Sequence, residues 1–321
     1  LTDHPHELPR LIMQARELNK LRGTFLHGLI KHNKEGRIHA HINQIRSDSG
    51  GTVTGRFSYN HPNLQQIPSR GQFAKDIRKI FIPEAGEYWL KADYSQQEPR
   101  LLTHFARLVK QPGSREVQEA YLEKDLDFHQ QTADMAGVQR SLAKTIGLGV
   151  MYGMGYHKLA RELDMEPQEA KTMLQDFHAK VPFMKGMLEA VMNRANSKGV
   201  IRTLLGRKCR FDLWEPTQWG VHKALPLNQA QTEHGFAIKR AYTYKALNRL
   251  IQGSAADQTK KAMVDVYEEL GIIPLIQVHD ELDCSVKDEK QGKQIKEIME
   301  NCVELEVPSK VDTEMNESWG G

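Results

Sequence analysis

Residues 91–100 read Lys91-Ala92-Asp93-Tyr94-Ser95-Gln96-Gln97-Glu98-Pro99-Arg100 and follow directly on Tyr88-Trp89-Leu90. The apolar run predicts a short strand over Tyr88 to Ala92 that ends at Asp93, with a helix starting at Gln96, Gln97 and Glu98. Pro99 then falls in the first helical turn, where its missing N–H costs little. Such a strand delivers one carboxylate, Asp93, at its end, and Glu98 follows about one helical turn later, a pattern suited to a metal ligand with a second acid beside it. The same spacing also suits a plain strand-to-helix turn in which Asp93 caps the helix.

A second acidic group lies far along the chain. The β-rich runs at 272–278 and 282–286 flank His279-Asp280-Glu281, which puts a carboxylate on a hairpin turn. Held at the end of two strands, Asp280 is a candidate metal ligand, although Asp-Glu is also ordinary turn chemistry. The sequence HDEL at 279–282 is internal, so it is no retention signal.

The third segment is RSLAKTIGLGVMYGMG at 140–155. Arg140, Lys144, Leu148 and Tyr152 recur every four residues and drift only slowly around a helix, so they share one face. Two cations, an apolar group and an aromatic ring in line match a nucleotide lying along the helix, with phosphates, sugar and base in that order. A solvated edge of a core helix has the same pattern. Gly147, Gly149 and Gly153 are expected to let another backbone or a nucleic-acid strand approach closely. Neither GxGxxG nor GxxxxGK[ST] occurs, which argues against a dinucleotide fold and a P-loop.

Around these segments the pattern is α/β mixed. Leu8, Leu11, Ile12, Ala15, Leu18 and Leu21 repeat at helical spacing almost from the first residue, so the chain reads as a fragment of a larger architecture. Residues 43–71 are loop-rich, and 140–152, 167–180, 183–197 and 228–250 read as helices. VIRTLLGRKCRF at 200–211 reads as a hairpin. Ser254, with Asp257 three residues on, reads as a cap for a helix running to Gly271.

The 321 residues suggest about two structural units. Mean hydropathy is −0.58, and no apolar run is long enough for a transmembrane helix. Cys209, Cys284 and Cys302 form no CxxC pair, so a soluble protein of a reducing, cytoplasmic setting is expected. The net charge of +3 conceals an asymmetry, since residues 255–321 carry 7 Lys and Arg against 16 Asp and Glu. That makes the last part −9 and residues 1–254 +12, as expected if a polyanion lies on the basic part and metal ions gather near the acidic one. An acidic surface helix over 288–300 accounts for much of the same imbalance.

Together the three segments, with TGRFS and PNLQQIP at 54–68 and NRLIQGSAAD at 248–257, resemble the polymerase domain of family A DNA polymerases, the DNA polymerase I type. The resemblance spans nearly the whole chain, and the short link from His129 to Arg140 looks more like the phage and viral branch. It implies a right-hand fold with a mainly antiparallel palm sheet. The C-terminal part of a thumb would span 1–50, the palm 51–128 and 223–321, and helical fingers 129–222.

By the same resemblance, Asp93 and Asp280, with the carbonyl of Tyr94, hold two Mg²⁺ ions, with Mn²⁺ as a substitute, and Glu281 supports the site. Lys144 protonates the leaving pyrophosphate. Arg140 and His129 meet the β and γ phosphates, with Gln96, Leu148 and Tyr152 also at the nucleotide. Glu98 holds Tyr152 and closes the space for a ribose 2′-OH. Arg56, Gln65, Asn248, Gln252 and His279 match positions that hold the primer-template minor groove or primer end, where shared acceptors test pairing without reading sequence. The implied partners are primer-template DNA and deoxynucleoside triphosphates, with no membrane partner, and the sequence names no processivity factor or helicase. Gln97 and Pro99 stand where the family usually has apolar residues, Gly147 where Asn is common, and Leu148 where Phe or Tyr is common. A single-subunit RNA polymerase and an inactive template-binding module are the other readings; Glu98 argues against the first, and the presence of both Asp93 and Asp280 against the second.

Overall fold

Strand β1 (Tyr88–Tyr94) forms where the apolar run predicts it and continues through Asp93. It is the third strand of a four-stranded sheet ordered β2 (Ile276–Val278), β3 (Glu281–Val286), β1, β4 (Val311–Asn316). The β2/β3 and β3/β1 pairs are antiparallel, with Val278 opposite Glu281 and Glu281 opposite Asp93. The computed structural model describes residues 6–47, 50–69, 71, 73–123, 126–218, 220 and 223–321.

The chain divides into two compact units. The first comprises residues 1–93, 265–298 and 312–321. Its core gathers Trp89, Trp319, Phe25, Leu29, Tyr59 and Ile276. Trp319 stacks on Trp89 with ring centres 6.0 Å apart and takes the edge of Phe81 at 5.4 Å. Helix α1 (Glu7–Lys20) carries the predicted apolar stripe but buries none of its residues.

The second unit comprises residues 94–264 and 299–311. It is mainly helical, and α2 (Gln97–Leu108), α3 (Phe128–Ala136) and α4 (Arg140–Met151) pack Leu101, Leu102, Phe128 and Ile146 into one core with Phe183 and Met184. The cap of α2 is Gln96, in a left-handed conformation at φ +55°, so Asp93 is not a helix cap. Its side chain anchors this corner, with Nε2 donating to Leu126 O at 2.7 Å and Oε1 accepting from Phe128 N at 2.9 Å.

Two expectations need correction. The span 228–250 is not one helix. A helix over Leu227–His234 ends at Gly235, whose φ of +62° a side chain disfavours, and a strand at Ile238–Arg240 follows. Helix α5 (Ala246–Leu270) begins eight residues before Ser254, so Ser254 and Asp257 lie buried inside it and cap nothing. They dock the loop of the hairpin formed by Val200–Arg202 and Lys208–Arg210. Ser254 Oγ accepts from Leu204 N at 3.0 Å, and Asp257 accepts from Leu205 N at 3.3 Å and Arg207 Nε at 2.9 Å. The polar pair was legible in the sequence; its partner, about 50 residues away, was not. Among the described residues no helix is long and apolar enough to cross a membrane.

Candidate active site

In the first unit the β2/β3 hairpin turns on His279 and Asp280 alone. His279 sits at φ +59°, the left-handed geometry that two-residue hairpin turns require. The side chain of Gln277 bonds the His279 carbonyl and fixes the turn. Because Glu281 opens β3 directly across from Asp93, the turn brings a third acid to the end of β1.

The electrostatics record this crowding. Asp93 is exposed, at the end of a strand whose neighbouring residues Ala92 and Tyr94 are buried. Desolvation, then the charges of Asp280, Glu281 and Asp312 against the weaker pull of Lys91, push its carboxyl up to about 7. Lys91 is itself engaged by Glu314 at 3.1 Å. Among the described residues no three acidic, His or Cys side chains converge on one metal position. The carboxylates gathered at this strand end are those of Asp93, Asp280 and Glu281. Hard carboxylate oxygens in a crowded, under-neutralised cluster fit a hard divalent cation such as Mg²⁺.

Glu281 is held from behind. Trp319 Nε1 donates to its Oε1 at 3.2 Å. The fully buried Asp283, two residues on, accepts Trp89 Nε1 at 2.8 Å, and its other oxygen is buried with no donor facing it. Burial, then the charge of Glu281 and a side-chain hydrogen bond to it, raise the Asp283 carboxyl well above the carboxylate range. Protonation of Asp283 would make that oxygen a donor toward Glu281. No reading of the sequence singled out Asp283, Trp89 or Trp319; the available signal was an acid inside the apolar run LDCSV. Asp283→Asn keeps a neutral polar group there and is expected to change stability little. Asp283→Ala strands the Trp89 N–H and is expected to cost about 1–3 kcal/mol in urea denaturation.

The other expected DNA-side residues of this unit separate by exposure. Gln65 is half-buried and reaches Gln277 O at 3.4 Å, Arg56 is half-buried with its carbonyl bonded by Thr52 Oγ1 at 2.8 Å, and His279 is exposed.

In the second unit Arg140, Lys144 and Tyr152 lie exposed along α4 and its C-cap, while Leu148 is half-buried against the core. Arg140 donates Nε and a terminal nitrogen to Asp127, each at 2.7 Å. Asp127, which also caps α3 through His129 N and Gln130 N, is held below the usual carboxylate range by Arg140 and these amides despite the opposing effect of burial. Sequence reasoning passed over it. His129 faces the same group; burial first, then the Lys144 and Arg140 charges, lower its pKa, and its Nδ1 is buried without a partner among the described residues. These influences favour its neutral form.

Tyr152 donates its hydroxyl to Glu98 Oε2 at 3.2 Å, the pairing that the resemblance implies. Tyr94 turns its side chain inward, and its hydroxyl bonds Met299 O at 2.7 Å. Asn248 and Gln252 stand four residues apart, half-buried, on α5. Gln96 serves the corner described above.

The three glycines of the α4 segment are not openings for a nucleic-acid strand. A Cβ on Gly149 would strike Met154 and one on Gly153 the carbonyl of Tyr244 at 2.6 Å, while Gly147 leaves room for Met184. Protein fills the space that side chains would take. The unusual Gln97 is likewise accommodated: buried, it donates to Gln258 Oε1 and Thr259 Oγ1 at 3.2 Å each.

Comparison with known proteins places this geometry in a family. The family model described as DNA polymerase family A matches residues 1–321. A DNA-directed DNA polymerase of Pseudomonas phage M6 is 38% identical over 99% of this chain and 52% of its own length. A thermostable DNA polymerase I of Thermus aquaticus is 33% identical over 98% of this chain and 36% of its own. Among solved structures, the polymerase domain of Pol1 from M. smegmatis, in complex with DNA primer-template and dNTP, superposes with a TM-score of 0.80 at 29% identity, covering 98% of this chain and 54% of that one. The chain belongs to DNA polymerase family A. It spans about half, or less, of the length of these relatives.

Proposed function

We propose that the chain is the catalytic part of a template-directed DNA polymerase that adds deoxynucleotides to a primer 3′-OH and releases pyrophosphate. The observation that carries this reading is the acid cluster at the end of β1, where the charges of Asp280 and Glu281 on Asp93 outweigh the pull of Lys91. In this reading 1–50 is part of a thumb, 51–128 and 223–321 the palm, and 129–222 the fingers, and the protein acts in replication.

Asp93, Asp280 and the Tyr94 carbonyl would hold two divalent ions, whose chemistry is to acidify the primer hydroxyl and stabilise charge on the transferring phosphoryl group. Glu281, held by Trp319 and Asp283, keeps the turn and β1 in register. Arg140 and His129 bind the phosphates, and Lys144 hands a proton to the leaving pyrophosphate. Tyr152 stacks near the base, and Glu98, tied to Tyr152, excludes a 2′-OH. Arg56, Gln65, Asn248, Gln252 and His279 hold the primer-template, and Gln96 orders the segment that carries His129. Primer extension with Mg²⁺ and the four deoxynucleoside triphosphates is the direct test; absence of extension by the intact protein overturns the reading.

Leu148 offers a finer test. It supplies no hydroxyl to replace the hydrogen bond a missing 3′-OH would make. The protein should therefore discriminate against dideoxynucleotides, and Leu148→Tyr should weaken that discrimination by about 1–3 kcal/mol. Chain termination read together with melting temperature checks it: a lower melting point with unchanged selectivity would leave Leu148 only a packing role.

A further inference from the structure

The hairpin Val200–Arg210 carries a feature that the catalytic reading does not use. Its inward pair, Ile201 and Cys209, is buried. Its outward face sets Arg202 directly opposite Lys208, with Arg210 two residues further along the same face. Like charges in directly opposed positions of an antiparallel pair destabilise the sheet. The hairpin bears that cost with no compensating acid, for among the described residues none of Arg202, Lys208 and Arg210 has an ion-pair partner. Some exposed cations of this unit are paired, such as Arg115 with Glu119 at 2.7 Å and Lys223 with Glu233 at 2.6 Å.

These three line a groove of about 370 Å³ with Lys198, Arg240 and a single acid, Asp212. Arg240 is fixed at its floor. Its Nε donates to Asn196 O at 3.1 Å, its Nη1 to Phe211 O at 2.9 Å, and its guanidinium stacks on Trp214 at 4.5 Å. Gly199 makes this possible, since a Cβ there would lie 2.6 Å from the guanidinium carbon. The groove thus combines a preorganised arginine with four exposed cations. That arrangement recognises a run of phosphates better than a single carboxylate.

We propose that this groove binds the phosphate backbone of single-stranded nucleic acid, as a site separate from the one that performs the chemistry. The inference builds on the reading of the chain as a nucleic-acid enzyme, which supplies such a strand as unpaired template.

The test is fluorescence anisotropy of a labelled single strand of about 20 nucleotides, titrated with the full chain across a salt series. The variant Arg202→Ala/Lys208→Ala/Arg210→Ala should lose about tenfold or more in affinity and lower the slope of log affinity against log salt by about 2. Lys208→Glu, which places an acid opposite Arg202, should also weaken strand binding while its melting temperature holds or rises. Unchanged affinity and slope in both variants would overturn the proposal. So would normal strand binding by variants that had lost binding to a polyglutamate peptide, which would make the groove a docking surface for an acidic protein. Extension of a primer on a template with a one-nucleotide overhang separates the two readings. A parent that extends while strand binding is indifferent to the substitutions defeats the groove alone. A parent that does not extend, with strand binding lost as expected, defeats the catalytic reading alone.

Discussion

Asp280→Asn is expected to lower primer extension by about 10³-fold or more, since it removes one of two carboxylates proposed to hold the metal ions, and each 1.4 kcal/mol lost is a factor of ten. Binding of primer-template should stay within about threefold, because phosphate contacts dominate affinity and Asp280 makes none. The same variant carries a signature in the metal-free protein that needs no activity. Asp93 is raised from 3.8 to about 7, with Asp280 the largest charge acting on it. The unfolded chain gives up that proton near 3.8 and the folded one near 7, so between those values the folded state holds more protons. Stability therefore falls as pH rises through this window, and the loss is complete above it. Removing the Asp280 charge should flatten that decline. Melting curves without divalent ions at about pH 5 and pH 8 measure it, and an equally steep decline in the variant would contradict the cluster. Near-parental extension by Asp280→Asn would remove the metal assignment altogether.

The second large effect concerns the sugar. Glu98 accepts the Tyr152 hydroxyl at 3.2 Å, which fixes both side chains. Glu98→Ala should open the space proposed to exclude a 2′-OH and release Tyr152, lowering the preference for deoxynucleotides over ribonucleotides by roughly 10–200-fold. The ratio of the two kcat/KM values is the readout. An unchanged ratio would move the gate elsewhere and favour ribonucleotide synthesis as the native activity. Tyr152→Phe keeps the ring and loses only the hydrogen bond, so a smaller drop in the same ratio would divide the effect between the bulk of Glu98 and its tether.

Much of this was legible in the sequence because local chemistry and local geometry coincide there. The strand read to end at Asp93 runs one residue further, to Tyr94, the turn read over His279-Asp280-Glu281 closes on His279 and Asp280 alone, and the four-residue rhythm of Arg140 to Tyr152 falls on α4 and its C-cap; each is set within about a dozen residues. The readings that failed depended on distant partners. Ser254 and Asp257 look like a cap until the loop at 204–207 is known to lie on them. Of the glycines of α4, Gly153 admits another backbone as read, the carbonyl of Tyr244, but the side chain of Met154 fills the space at Gly149. Asp283 belongs to the same class, since only the pairing of β3 with β1 brings Trp89 within reach of its carboxylate. Residues 228–250 failed for a local reason, a single Gly235 with a positive φ inside a helix-compatible pattern.

The Gln96 corner carries a mechanical consequence. One side chain takes a hydrogen bond from the first residue of α3 and gives one to the carbonyl of Leu126, and so clamps both flanks of Asp127. Asp127 in turn grips Arg140 through two nitrogens. Strand end, helix cap and the leading cation of α4 are thus linked in series like a drawn chain. Drawing Arg140 away from Asp127 toward another anion would release the last link alone, since Gln96 would still hold the residues on both sides of Asp127.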